Sequence, residues 1–189
     1  MTLSSSLTNV RTPLLGLLLA LLGAAAVALQ PAPSRAAGDD IVKPTTVCPD
    51  GKVWSEDKNK CVGLKSGALP DRQLYQQGWR LAKAGHYEKA IRVLAAVVDQ
   101  TNPKVLNYLG YSHRKMGRLA EGVAYYKKAL AIDPDYVLAR EYLGEGYVAA
   151  GRLQLAKDQL TEIGKRCGTH CKAYRQLAAV ISGTRTETW

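Results

Sequence analysis

The chain reads as an all-α solenoid of three helix–turn–helix repeats, closed by a C-terminal capping helix and preceded by a small N-terminal disulfide hairpin. Three observations carry this reading. Three segments align in phase, with equivalent glycines at Gly78, Gly110 and Gly144, spacings of 32 and 34 residues. Apolar residues inside the segments recur every 3.6 residues, so each unit is a pair of amphipathic helices that must stack to bury its faces. Four cysteines fall as two close pairs at the edges of the repeats, Cys48 with Cys61 and Cys167 with Cys171. A length of 189 residues suits one domain with appendages, and 22% charged against 47% apolar residues argues against both wholesale disorder and a polytopic membrane protein.

Residues 1–36 are expected to be a secretory signal peptide. Arg11 precedes an uncharged run of 16 residues, Leu14 to Leu29. As a helix this run spans about 24 Å, short of a bilayer core of roughly 30 Å, which argues against a retained anchor. Ser34 and Ala36 are small residues at −3 and −1 of a cut after Ala36. No cysteine follows closely and no twin arginine precedes, so the general secretory route fits better than a lipoprotein or twin-arginine route. Cleavage there would leave 153 residues carrying +8, because Arg11 and Arg35 are the only charged residues removed. It would deliver a protein with no stable membrane anchor to the periplasm or the medium, where disulfides persist.

Residues 37–69 show no helical period and form a linker around a hairpin. Asp50-Gly51 is a turn signal, Val53-Trp54 a short strand and Asp57-Lys58-Asn59 a second turn. Four cysteines allow three pairings. The local one, Cys48–Cys61 and Cys167–Cys171, is preferred because each pair lies within one short segment. A four-cysteine zinc site, with His170 nearby, fits poorly, because the 12-residue gap between Cys48 and Cys61 lacks the close ligand spacing zinc sites use. The hairpin resembles the cysteine hairpin of small chitin-binding modules in its Cys-Pro-x-Gly, its aromatic residue and its closing cysteine. That likeness implies glycan binding through Trp54; a stapled spacer is the plainer expectation.

In each repeat the first helix carries a small residue at Gly78, Gly110 or Gly144, where a partner helix should approach closely. The turn follows at Gly85, Gly117 or Gly151, and the second helix carries Ala90, Gly122 or Ala156. Asn102-Pro103 and Asp133-Pro134 each look like an N-cap followed by proline at the first helical position. The second helices show apolar stripes at Ala90, Ile91, Leu94, Val97 and Val98, and at Val123, Tyr126, Ala129 and Leu130.

These residues resemble the tetratricopeptide repeat (TPR) family over about residues 70–166, best at Leu109-Gly110, Tyr126, Ala129 and Pro134. The 32-residue first spacing departs from the family and predicts a shortened loop near Thr101. His113 stands where a tyrosine is usual, and no proline closes the third repeat. From Cys167 to Ile181 the pattern is one more amphipathic helix, capped by Thr169 and stapled by Cys167–Cys171, so the TPR domain runs 70–182 with a tail at 183–189. This ending resembles those of short exported bacterial TPR proteins.

No phosphate loop, G-x-S-x-G elbow or H-E-x-x-H motif is present, and no cofactor or metal is expected. His86, His113 and His170 read as surface or structural, so the protein is not expected to be an enzyme. The resemblance implies that function lies on a concave face lined by the first helices. Its positions are Arg72, Tyr75, Trp79 and Lys83 from repeat one, and Lys104, Asn107, Tyr111, Arg114 and Lys115 from repeat two. Repeat three adds Leu138, Glu141, Glu145 and Val148. Tyr75 and Trp79 stand where the carboxylate clamp of chaperone-binding members needs Lys and Asn, so that clamp is not reproduced. The expected partner is a protein or peptide, acidic in view of the charge; export disfavours nucleic acid. The alternatives are an envelope glycan-binding accessory using the hairpin and a redox role for Cys167 and Cys171.

Overall fold

A computed structural model describes residues 46–185. The expected leader and its cleavage site lie outside the described residues, as does the end of the tail. Two short strands come first, β1 (Lys52–Ser55) and β2 (Lys60–Gly63). They pair antiparallel with Val53 opposite Val62 and Trp54 opposite Cys61. Seven helices follow among the described residues: α1 (Asp71–Lys83), α2 (Tyr87–Ala95), α3 (Pro103–Lys115), α4 (Leu119–Ile132), α5 (Val137–Ala149), α6 (Leu153–Cys167) and α7 (Lys172–Ile181). They stack as the pairs α1/α2, α3/α4 and α5/α6, with α7 closing the end against α5 and α6. None of the described helices is long and apolar enough to cross a membrane.

The repeat glycines behave as the phase predicts, with one difference. Gly85, Gly117 and Gly151 take φ of 84°, 78° and 70°, the left-handed geometry that ends a first helix at least cost in glycine. A Cβ on Gly110 would lie 2.8 Å from the Tyr126 ring and 3.0 Å from the Gly122 carbonyl, so α3 and α4 meet backbone to backbone. Gly144, in the third repeat, instead meets Leu177 of α7, whose side chain would lie 2.5 Å from a Cβ at that position. The capping helix therefore takes the close-approach site that the second helix occupies in the earlier repeats.

Helix starts divide the two predicted proline caps. Asn102 caps α3 as expected, its side chain accepting from the Lys104 N–H at 3.0 Å with Pro103 in the first turn. Asp133 does not cap α5. Its carboxylate accepts from the Asp135 N–H at 3.1 Å inside a separate turn, and α5 begins only after Tyr136. Thr169 does not cap α7 either; Cys171 occupies that position. The Cys167–Cys171 bond spans the reversal, so residues 168–170 are used in turning the chain before a helix can start.

The 32-residue spacing also has a different origin from the one expected. α2 is only nine residues long, against 14 in α4 and 15 in α6, and the connection after it is not shortened. At its end the Asp71 carboxylate accepts from the Val98 and Asp99 N–H groups at 2.8 and 2.9 Å, while the Gln100 amide donates to the Leu94 and Val97 carbonyls. These bonds satisfy the backbone groups a helix end leaves open. They also turn Val98 outward, 65% exposed, where the apolar stripe would place it inside.

The hairpin is not a spacer. Val53 is 2% exposed and joins Leu69, Leu74, Leu81 and Val93 in one core. Gln77 donates to the Trp54 carbonyl, Lys89 donates to the Cys48 carbonyl at 3.2 Å, and Arg92 pairs with Asp50 at 2.8 Å. Cys48–Cys61 closes the loop beneath these contacts, as the local pairing predicts. The hairpin thus covers the end of the first helix pair, where an uncovered repeat would leave apolar surface in water.

Candidate functional site

The first helices of the repeats share one face, and tyrosine dominates it. Tyr75 and Trp79 of α1 meet the Tyr108 ring edge-on at centroid distances of 6.2 and 6.5 Å. Tyr108 meets Tyr111 at 6.0 Å, Tyr111 meets Tyr142 of α5 at 5.1 Å, and Tyr142 meets Tyr126 at 6.1 Å. Such edge and tilted arrangements suit aromatic quadrupoles and add to the area they bury. This run of rings fills the place phenylalanine takes in many cores, in a chain with ten tyrosines and none of the latter. Burial pushes the Tyr108, Tyr126 and Tyr142 hydroxyls well above the usual tyrosine range, so all three are neutral.

Beside the rings lies a buried ion pair. Arg114 and Glu145 meet at 2.6 Å, with side chains 1% and 2% exposed. The Arg114 Nε–H donates to the Tyr126 hydroxyl at 3.3 Å, and the guanidinium stands 5.7 Å from the Tyr111 ring centre and 5.6 Å from that of Tyr142. Charges are rarely buried unless paired and hydrogen-bonded, and this pair has both forms of support. Because α3 supplies the cation and α5 the anion, the pair also ties repeat two to repeat three.

Above the pair opens a cleft of about 440 Å³. Tyr111, Leu138 and Tyr142 form an apolar side, and Glu141 and Glu145 are its two carboxylates among the described residues. Five basic residues line it: Lys83, Arg114, Lys115, Lys172 and Arg185. Among the described residues the surplus is three positive charges. Lys83 Nζ sits 5.2 Å from the Tyr111 ring centre, and Arg185 approaches the Glu145 carboxylate at 3.7 Å. Partial burial lowers the pKa of Lys83, with Lys172 and Lys115 adding repulsion and Glu141 and Glu145 opposing it. The cations therefore share one electrostatic field.

The predicted lining residues separate into groups. Lys83, Tyr111, Arg114, Lys115, Leu138, Glu141 and Glu145 come together at the cleft. Arg72, Tyr75, Trp79, Lys104, Asn107 and Val148 do not line it. Arg72 and Lys104 are exposed elsewhere, whereas Tyr75 and Trp79 pack against the first core. Asn107 is fully buried, and Arg114, Glu141 and Glu145 are buried too, so these polar positions are internal rather than solvated. Repeat phase misses Lys172, Gln176 and Arg185, which come from the cap and the segment after it. It also places Tyr142 only in the core. The one available signal is opposite charge on neighbouring first helices, Arg114 and Glu145, beside in-phase tyrosines.

The remaining candidates sit away from the cleft. Trp54 is half-buried on the strand face opposite Val53. His113 stacks on Tyr125 at 5.3 Å, and its pKa is lowered, first by burial and then by Arg118. Cys48–Cys61 and Cys167–Cys171 are both bonded, with no free cysteine among the described residues. Nor do the described residues include a cluster of three or more His, Cys, Asp or Glu placed to hold a metal ion.

Known proteins agree with this architecture. The chain is similar to the tetratricopeptide repeat domain-containing protein PYG7, chloroplastic, of Arabidopsis thaliana, at 27% identity over 106 residues, covering 53% of this chain and 35% of that one. It thus spans about a third of that relative's length. Among solved structures, MamA aligns with a TM-score of 0.53 at 20% identity, covering 60% of this chain and 68% of that one. The Yersinia enterocolitica chaperone SycD aligns at 0.52 and 20% identity, over 59% and 86%. The first TPR domain of Spaghetti (RPAP3) aligns at 0.54 and 18% identity, over 66% and 100%. Two family models, both described as Tetratricopeptide repeat, match residues 75–137 and 113–181. With paired helices, in-phase glycines and these matches in agreement, the chain belongs to the tetratricopeptide repeat family.

Proposed function

We propose that the protein is an exported, non-catalytic scaffold that holds an acidic segment of a partner protein or peptide in the cleft formed by its first helices. The observation that carries this is the cleft itself, which has a rigid floor of tyrosines around a buried ion pair and a rim with surplus positive charge. A rigid site loses little entropy on binding, and clustered positive charge speeds encounter with acidic partners. Support comes from two structures with this fold that hold peptides: SycD with a peptide of the translocator YopD, and the RPAP3 domain with the HSP90 peptide SRMEEVD. Export rests on the leader pattern of residues 1–36 and agrees with two disulfides in a short chain.

Site-specific photo-crosslinking in cells tests the binding surface. A photoreactive residue at Leu138, in the cleft, should yield a discrete adduct, and one at exposed Lys127 on α4 should not. Equal adducts at both positions, or none at Leu138, refute the assignment. Mass spectrometry of the protein from the envelope fraction should find Ala37 as its first residue; a retained leader refutes the cleaved form.

A further inference from the structure

The peptide-binding reading leaves open what distinguishes this cleft from the inner face of any helical repeat. The difference lies outside the repeats. Helix α7 takes the close-approach site at Gly144, so it lies directly against α5 and forms a wall of the cleft. From that wall Lys172 and Gln176 line the opening, and Arg185, beyond the helix, reaches to 3.7 Å from Glu145. Lys83 faces them from α1, and Lys172 is the strongest of the cations that repel it. Cations from α1, from α7 and from the segment after it thus meet at one opening, floored by the Arg114–Glu145 pair.

We infer, resting on the peptide-binding reading, that the C-terminal cap is the specificity element of the site. Lys83, Lys172 and Arg185 form a collar that accepts an aspartate or glutamate side chain of the bound segment. The carboxylate enters between α1 and α7 and relieves the mutual repulsion of the collar. The apolar stem of the ligand lies against Tyr111 and Leu138. A cap that served only to end the stack would need no cations on the side facing the first helices.

Selection of a random dodecapeptide display library against the full protein tests this. Wild type should enrich sequences with more Asp and Glu than the unselected library contains. An enriched peptide should then bind at least about tenfold more tightly than its Asn/Gln counterpart, and less tightly as salt rises, since screening lengths near 0.1 M are about 10 Å. The variant K83Q/K172Q should weaken that peptide by about five- to tenfold, with each single change worth about two- to fivefold. The charge-matched variant K127Q/K157Q, altered at exposed lysines away from the cleft, should bind it as wild type does. Enriched peptides with the library's Asp and Glu content overturn the collar while leaving peptide binding intact. Equal loss in the two double variants does the same. Failure to enrich any peptide overturns the peptide-binding reading itself, and the collar with it.

Discussion

Replacing Glu145 by leucine should be the most damaging single change on the inner face. The carboxylate sits 2.6 Å from the Arg114 guanidinium, and both side chains are almost wholly buried, so water does little to screen either charge. Leucine would take from Arg114 its carboxylate partner at 2.6 Å, while the Tyr126 hydroxyl and the two tyrosine rings beside it carry no charge. Removing one member of a buried pair costs about 3–5 kcal/mol, and the low end applies here because the cleft gives the guanidinium a path toward water. For a domain of this size each kcal/mol moves Tm by about 2–4 °C, so a fall of about 6–12 °C is expected.

The double variant R114M/E145L removes both charges and fills the space with apolar groups. Buried pairs replaced in this way are often neutral or stabilising, so it should recover most of the loss. A thermodynamic cycle from urea and thermal melts should give a coupling of at least about 2 kcal/mol between the two positions. If E145L costs less than about 1 kcal/mol, or the two changes add without coupling, the pair does not tie the repeats together and the rigid floor of the cleft loses its basis.

Other expectations follow from local geometry. Gly110→Ala would press a methyl into the Tyr126 ring and the Gly122 backbone; overpacking should cost about 1–3 kcal/mol and outweigh the roughly 1 kcal/mol alanine gains in helix propensity, and an unchanged melt would contradict that close approach. Cys61→Ser should destabilise the protein by about 3 kcal/mol, with hydrogen exchange rising in α1 and α2 before α5; a uniform rise would show that the hairpin does not cap the first repeat. Glu162, hydrogen-bonded to Lys165 and Arg166, should titrate at about 2 rather than 4.5. Its folded pKa is depressed, so its stabilising contribution is present above pH 4.5 and fades as pH falls toward about 2; a carboxyl NMR midpoint at the ordinary value would refute those bonds.

The repeat, its helix pairing and the local disulfides were legible in the sequence because each depends on short spacings. A glycine twelve residues from a small partner, or two cysteines in one segment, constrains the chain wherever the rest of it lies. Features set by tertiary context were not legible. Asp133-Pro134 has the same local chemistry as Asn102-Pro103, yet one closes a turn and the other starts a helix. The Asp71 carboxylate ends α2 from 27 residues away, and no period along the chain reveals such a bond. Lining residues were legible where they fell in repeat phase, as Lys83, Tyr111 and Lys115 do. Those on the cap were not, because α7 follows no repeat whose phase could place it.

The net positive charge acquires meaning only when it is divided by use. Arg80, Lys89 and Arg92 hold the hairpin, through Glu56, Asp50 and the Cys48 carbonyl. Arg140 and Arg166 bind the turn before α5, both donating to the Pro134 carbonyl, and Arg166 also pairs with Asp135 and Glu162. Those five cations are committed to the fold, mostly against acidic partners close at hand. The cleft differs because, among the described residues, its cations outnumber its carboxylates, and one of those carboxylates, Glu145, is shared by Arg114 and Arg185. Like charges gathered at one opening repel, which by itself works against folding. Arg185 leans on Glu145, while Lys83 and Lys172 repel each other across the opening, and an acidic side chain placed between them would relieve that repulsion.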